Sequence, residues 1–205
     1  MTFSDNGLVA QLGATDQALL RRRCQLVELA VGDLTLAAQG GDKRAYFLAG
    51  HEGAVGMQYA VGSDTGIFTP WVQSAGMAWC IDGEVLRLLT VRRPAMLLVF
   101  SRYIWSMSQD VAALAACAQI CDIPSRLAGW IVMSDLRSRG ADLHLTHAHL
   151  AQMLGVRRAG VTTAALEMKQ QGLIDYQRGR IRLLDRAGLE ALSCWLPARL
   201  PAATP

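Results

Sequence analysis

With 205 residues, 52 % of them hydrophobic, the chain is long enough for two small domains that each bury a core. A formal net charge of +3 excludes a uniformly polycationic or polyanionic protein, but the charge is uneven. Residues 137–186 hold nine basic and four acidic side chains, whereas residues 1–136 hold ten and twelve, so the C-terminal part is the half suited to phosphate contacts.

The opening MTFSDNGLVAQLGATD lacks the basic start and apolar run of a secretory signal, and residues 1–15 read as a tail. No apolar stretch approaches the ~20 residues of a membrane span. Cys24, Cys80, Cys117, Cys121 and Cys194 are odd in number, scattered and free of a C-x-x-C pair, which fits a reduced, cytoplasmic protein. Arg21, Arg22 and Arg23 read as a solvated run. From Cys24 to Leu89 the runs CQLVELAVGD, LTLAAQGGD, KRAYFLAG and GIFTPWVQSAGMAWCIDGE are separated by Gly- and Asp-containing turns. They predict an antiparallel sheet or small barrel in a sensor-like domain over residues 16–93.

From Pro94 the sequence repeats every seven residues. Leu97, Ile104, Val111 and Ala118 share one heptad position, and Phe100, Met107, Leu114 and Cys121 the position three later. A period of 3.5 is that of a helix pairing with a parallel partner, so residues 94–121 are predicted to be a dimerisation helix about 40 Å long. Burial of that helix inside one chain is the alternative. Asp122 then offers an N-cap and Pro124 suits a first turn, which makes Asp122 the expected hinge before a helix carrying Leu127, Trp130, Ile131 and Met133. Cys117 and Cys121 share a helical face but read as small buried hydrophobes rather than metal ligands.

The stretch from Thr146 to Leu184 is the most informative. Leu150, Ala151 and Leu154 repeat at helical spacing until Gly155, which enters a left-handed turn without steric cost. A second helix follows, with Val156, Val161, Ala164, Ala165 and Met168 apolar toward the first. Arg157, Arg158, Thr162 and Thr163 fall on its other side near the N-terminus, the end that enters the major groove in helix-turn-helix proteins. Gly172 closes this helix, and LIDYQ and RIRLL alternate as a hairpin around Arg178 and Gly179, with Arg178, Arg180 and Arg182 supplying charge. The prediction is a DNA-binding winged helix-turn-helix over residues 122–196, followed by a tail over 197–205. His144, His147 and His149 crowd the start of the first helix, but 147 and 149 lie roughly 200° apart on a helix and read as solvated or phosphate-facing. No activated serine, phosphate-cradling Gly-rich loop or carboxylate pair is present in the sequence, so no enzymatic activity, cofactor or metal is expected.

The order of sheet domain, long helix, short hinge and winged helix resembles the Crp/Fnr superfamily of bacterial transcription regulators. LAQMLGVRRAGVT, GLIDYQRGRIRLLDRAGLE and the spacing of Arg126, Leu127, Ala128 and Trp130 carry the resemblance. It implies an α+β fold: a shortened cyclic-nucleotide-binding-like β-barrel, a dimerisation helix and a C-terminal winged helix. It further implies a homodimer on a pseudo-palindromic site in double-stranded DNA, with RNA polymerase as a further partner. By the same resemblance Thr146 and Gln152 lie near backbone phosphates, and Arg157, Arg158, Gly160, Thr162 and Thr163 face the major groove. Ala159 stands where the best-known members have Glu, so their base preference does not transfer. Glu52 and Gly53 begin a segment, EGAVGMQYAVG, similar to the ribose-binding pair of cyclic-nucleotide-binding relatives. The Arg-Ser pair that grips the cyclic phosphate aligns with Phe68 and Thr69, which cannot make a bidentate charged contact. Cyclic AMP is therefore not an expected ligand, and no effector is assigned. A constitutive DNA-binding dimer gated by a protein partner is the alternative.

Overall fold

The computed structural model describes residues 2–31, 49–63, 70–140, 143–177 and 179–193. In chain order these form α1 (Gly7–Ala10), α2 (Ala14–Arg21), β1 (Gln25–Leu29), β2 (Gly76–Cys80), α3 (Gly83–Arg92) and the 27-residue α4 (Pro94–Ile120). They continue as α5 (Ile123–Ser138), β3 (Leu143–His144), α6 (His147–Leu154), α7 (Arg158–Gln170), β4 (Ile174–Gln177), β5 (Arg180–Leu183) and α8 (Arg186–Leu192), with 3-10 turns at Phe3–Asp5 and Met57–Val61. The fold is α+β with the expected long helix. Two compact units divide after Ser108, so α4 contributes its first half to one and its second half to the other. Among the described residues no helix is long and apolar enough to cross a membrane.

In the first unit the segment expected to be a tail is part of the core. Asn6 caps α1, its Oδ1 accepting from the N–H groups of Leu8 and Val9 at 3.0 Å each. That turn drives Phe3, Leu8, Val9 and Leu12 inward, against Leu20, Met57, Ala60, Leu86, Met96 and Phe100. Burying side chains of this size is worth about 1.5 to 3 kcal/mol each, enough to hold so short a helix in place. Strands β1 and β2 pair antiparallel, from Gln25 opposite Cys80 to Leu29 opposite Gly76. Arg21 lies over the Trp79 ring, 4.0 Å from its centroid, rather than simply in solvent. The runs LTLAAQGGD and KRAYFLAG, apart from Ala49 and Gly50, lie outside the described residues, as do Phe68 and Thr69.

The stretch compared above with a ribose-binding pair is occupied by its own chain. The Tyr103 hydroxyl, from α4, donates to the Ala54 carbonyl at 3.0 Å and accepts from the Ala54 N–H at 3.1 Å. Its ring fills the space that a side chain at position 53 would need. Asn6 donates to the Gly53 carbonyl at 2.7 Å, and the Glu52 carboxylate turns back to accept from the Gly50 N–H at 3.1 Å.

In the second unit Asp122 caps α5 as the sequence predicts, accepting from the Ser125 N–H at 2.9 Å, with Pro124 in the first turn. The hydrogen bonds from Ser125 hold the Asp122 carboxyl below its ordinary pKa. Leu127, Trp130, Ile131 and Met133 are buried on α5, which packs on α7 and α8. Arg137, near the end of α5, makes a buried ion pair with Asp110 in the second half of α4 at 2.8 Å. The sheet has the order β3-β5-β4, with Leu143 opposite Ile181 and Ile174 opposite Leu183.

Candidate nucleic-acid interface

Helix α6 begins where its cap dictates. Thr146 Oγ1 accepts from the His149 N–H at 3.1 Å, so this hydroxyl is held by the helix it starts. Leu150, Ala151 and Leu154 are buried, and Gly155 ends the helix at a φ of +64°. Arg126 of α5 donates a hydrogen bond to the Leu154 carbonyl, satisfying an end that the turn leaves open. Gly155→Ala forces a Cβ into the left-handed region and is expected to lower stability by about 1 to 2 kcal/mol, read as a drop in the thermal unfolding midpoint.

Arg157 is the N-cap residue of α7 and Arg158 its first helical residue; both are exposed, and no carboxylate among the described residues pairs with either. Val161, Ala164, Ala165 and Met168 are buried on the opposite side, as the apolar spacing requires. Thr163 and Gln152 are exposed and Thr162 half-buried. The hydroxyls of Thr162 and Thr163 donate back to the carbonyls of Arg158 and Ala159 at 3.0 and 3.2 Å. Gly160 has a packing role: a Cβ there would lie 2.6 Å from Ile123 Cδ1, so its absence lets α7 approach the start of α5. In the wing, Gln177 sits opposite Arg180 and Gly179 takes a φ of +80°, while Arg178 lies outside the described residues. Arg180 and Arg182 are exposed on either side of buried Ile181. Asp175 is held by Lys169 at 2.9 Å, and this hydrogen bond lowers its pKa, with the Arg182 guanidinium 3.8 Å away.

His147, read from the sequence as solvated or phosphate-facing, is instead engaged by two other elements of its own unit. His147 stacks on Tyr176 of β4, ring centroids 4.2 Å apart, and its Nδ1 lies 3.0 Å from Thr162 Oγ1. No short-range pattern links residues 147, 162 and 176. Burial, and after it the charge of Arg158, holds the His147 pKa below the ordinary histidine value. The folded domain thus prefers the neutral ring. This contribution to stability is present above the unfolded-state pKa of about 6.5 and is lost as pH falls through the lower folded-state value.

Of the residues expected on a dimer seam, Phe100 is 3 % exposed and committed to the core of its own chain. Leu97, Ile104, Met107, Val111 and Leu114 are half-buried and Ala118 is exposed, while Leu98 and Trp105, one position along from the expected register, are more exposed still. Cys121, half-buried, is disulfide-bonded and not the free small hydrophobe expected; a bonded sulfur has no thiol to ionise. Cys24, Cys80 and Cys117 are not disulfide-bonded, and burial, with Cys80 nearby, pushes Cys24 up to about 11, which keeps it a thiol at neutral pH. No cluster among the described residues could hold a metal ion.

Residues 125–192 match the model of the Crp-like helix-turn-helix domain. A solved structure from Eubacterium rectale, assigned to the Crp/Fnr family of transcriptional regulators, aligns at a TM-score of 0.61 and 15 % identity, covering 92 % of this chain and 98 % of that one. A Crp/Fnr-family regulator from Thermus thermophilus aligns at 0.54 and 19 %, covering 82 % and 98 %. The c-di-GMP-responsive global regulator of Xanthomonas campestris aligns at 0.57 and 15 %, covering 84 % and 100 %. No curated protein sequence matches the chain.

Proposed function

We propose that this chain, whose residues 125–192 match the model of the Crp-like helix-turn-helix domain, is a transcription regulator of the Crp/Fnr type that acts as a homodimer on a pseudo-palindromic operator. In this reading the head of α7 enters the major groove and the wing lies along the backbone. The observation that carries it is the pair of exposed guanidiniums at Arg157 and Arg158, which no internal carboxylate among the described residues holds. Thr146, Gln152 and Arg180 are assigned to the phosphates, and Thr162 and Thr163 to the groove beside the two arginines. Selection from a random duplex pool tests the reading: it should enrich two inverted half-sites about 10 base pairs apart, or a multiple of that. Enrichment of a single asymmetric site would contradict the dimer.

Dimerisation is assigned to α4, through Leu97, Ile104, Met107, Val111 and Leu114, with Phe100 behind them in the core. Val111→Asp would place two unpaired carboxylates face to face in that seam and is expected to give a folded monomer in sedimentation experiments. An intact dimer would remove the seam assignment.

Cyclic AMP is not proposed as the effector. The internal hydrogen bonds of Tyr103, Asn6 and Glu52 around residues 50–54 support this, because a ligand there would displace contacts already made. The same contacts favour the second reading, a DNA-competent dimer that a protein partner gates. Calorimetry with cyclic nucleotides, run beside operator titrations at fixed salt, separates the two from a nucleotide-driven switch. Nucleotide binding that raises operator affinity would overturn both.

A further inference from the structure

We propose that His147 is a positioning residue for DNA recognition, one that fixes the angle between α7 and the β4–β5 wing through Thr162 and Tyr176. This rests on α7 being the helix that reads DNA. His147 is the first residue of α6, yet its imidazole serves two other elements. One face stacks on Tyr176, with planes 19° apart, and Nδ1 reaches Thr162 Oγ1 at 3.0 Å. The single hydroxyl hydrogen of Thr162 points to the Arg158 carbonyl, so Nδ1–H is the donor in the contact with Thr162. A directed chain results, from His147 to the Thr162 hydroxyl to the Arg158 carbonyl. It ends in the first turn of α7, at the residue whose guanidinium is assigned to the groove.

The other nitrogen argues for the same role. Nε2 is buried and has no hydrogen-bond partner among the described residues. An aliphatic side chain would fill this place without leaving a polar atom unsatisfied, so packing alone does not call for histidine. What histidine adds is a flat ring for Tyr176 and a donor at a fixed angle to it. The charged group that acts on it is Arg158 on α7, which opposes protonation of the ring.

The test is a double-substitution cycle read as the ratio of operator to random-duplex affinity at one salt concentration. His147→Phe keeps the ring and loses the donor; Thr162→Val keeps the shape and loses the hydroxyl. Each is expected to lower the ratio about 3- to 10-fold, the worth of one internal hydrogen bond, and the double variant to lower it no further than the larger single loss. His147→Asn, which restores a donor near Nδ1 without the ring, is expected to recover part of the ratio. Losses that multiply in the double variant, or a parent-like ratio in His147→Phe, would overturn the proposal. A parent that does not distinguish operator from random duplex would instead overturn the assignment of α7, and this inference with it. Thr162→Val, at a half-exposed site, keeps the comparison with the parent open should His147→Phe fail to fold.

Discussion

Alanine at Arg157 and Arg158 is expected to abolish most operator binding while leaving the fold intact. Neither guanidinium has a carboxylate partner among the described residues, so their removal should change folding stability by no more than about 0.5 kcal/mol. Toward DNA the effect is large. An arginine bidentate to guanine contributes about 1 to 3 kcal/mol of discrimination, whereas one that meets a phosphate weakens all sequences alike and reduces the salt slope by about one. Titrating each single variant with operator and random duplex over a range of salt assigns the two roles. Variants that bind both duplexes as tightly as the parent would refute the placement of α7.

Arg137→Met is expected to have the largest effect on stability. The Arg137 side chain is 7 % exposed and its partner Asp110 is 23 % exposed, so the substitution strands a mostly buried carboxylate. Breaking a buried pair from one side costs about 3 to 5 kcal/mol, and the residual solvent at Asp110 places this case near the lower figure. That is a large share of a typical domain's stability. Adding Asp110→Asn should recover more than half of the loss, because no charge is then left unpaired. Urea unfolding of the parent and the two variants checks both statements; a single variant as stable as the parent would mean that the pair is only incidental.

The C-terminal unit was legible in sequence because its signals are local. Asp122, Thr146 and Gly155 are each within four residues of the group they satisfy, and the apolar spacing of α7 names its buried face directly. Strand β3 was not legible, since two residues carry no alternation to read. The N-terminal segment failed for a related reason: Phe3 and Leu8 look isolated among polar residues until the Asn6 cap folds them together. For α4 the seven-residue period was plain, but a period does not say which side of a helix meets its own chain. The structure uses Met96 and Phe100 inward and leaves Leu98 and Trp105 outward. His147, Arg126 and Arg137 act across 15, 28 and 27 residues, where no periodic or capping pattern exists to expose them.

The two threonines of α7 bear on which bases it can read. Each hydroxyl hydrogen is already given to a carbonyl one turn back, so Thr163 presents lone pairs and a methyl group to a groove, not a donor. Guanine O6 and N7 and the phosphate oxygens need donors, and of the side chains assigned to the groove at this end of the helix the arginines supply them. Thr163 is left to accept from the exocyclic amino group of cytosine or adenine, or to lie against a thymine methyl. On the proposed docking, operator positions beneath Arg157 and Arg158 should favour guanine, and the position beneath Thr163 should disfavour it.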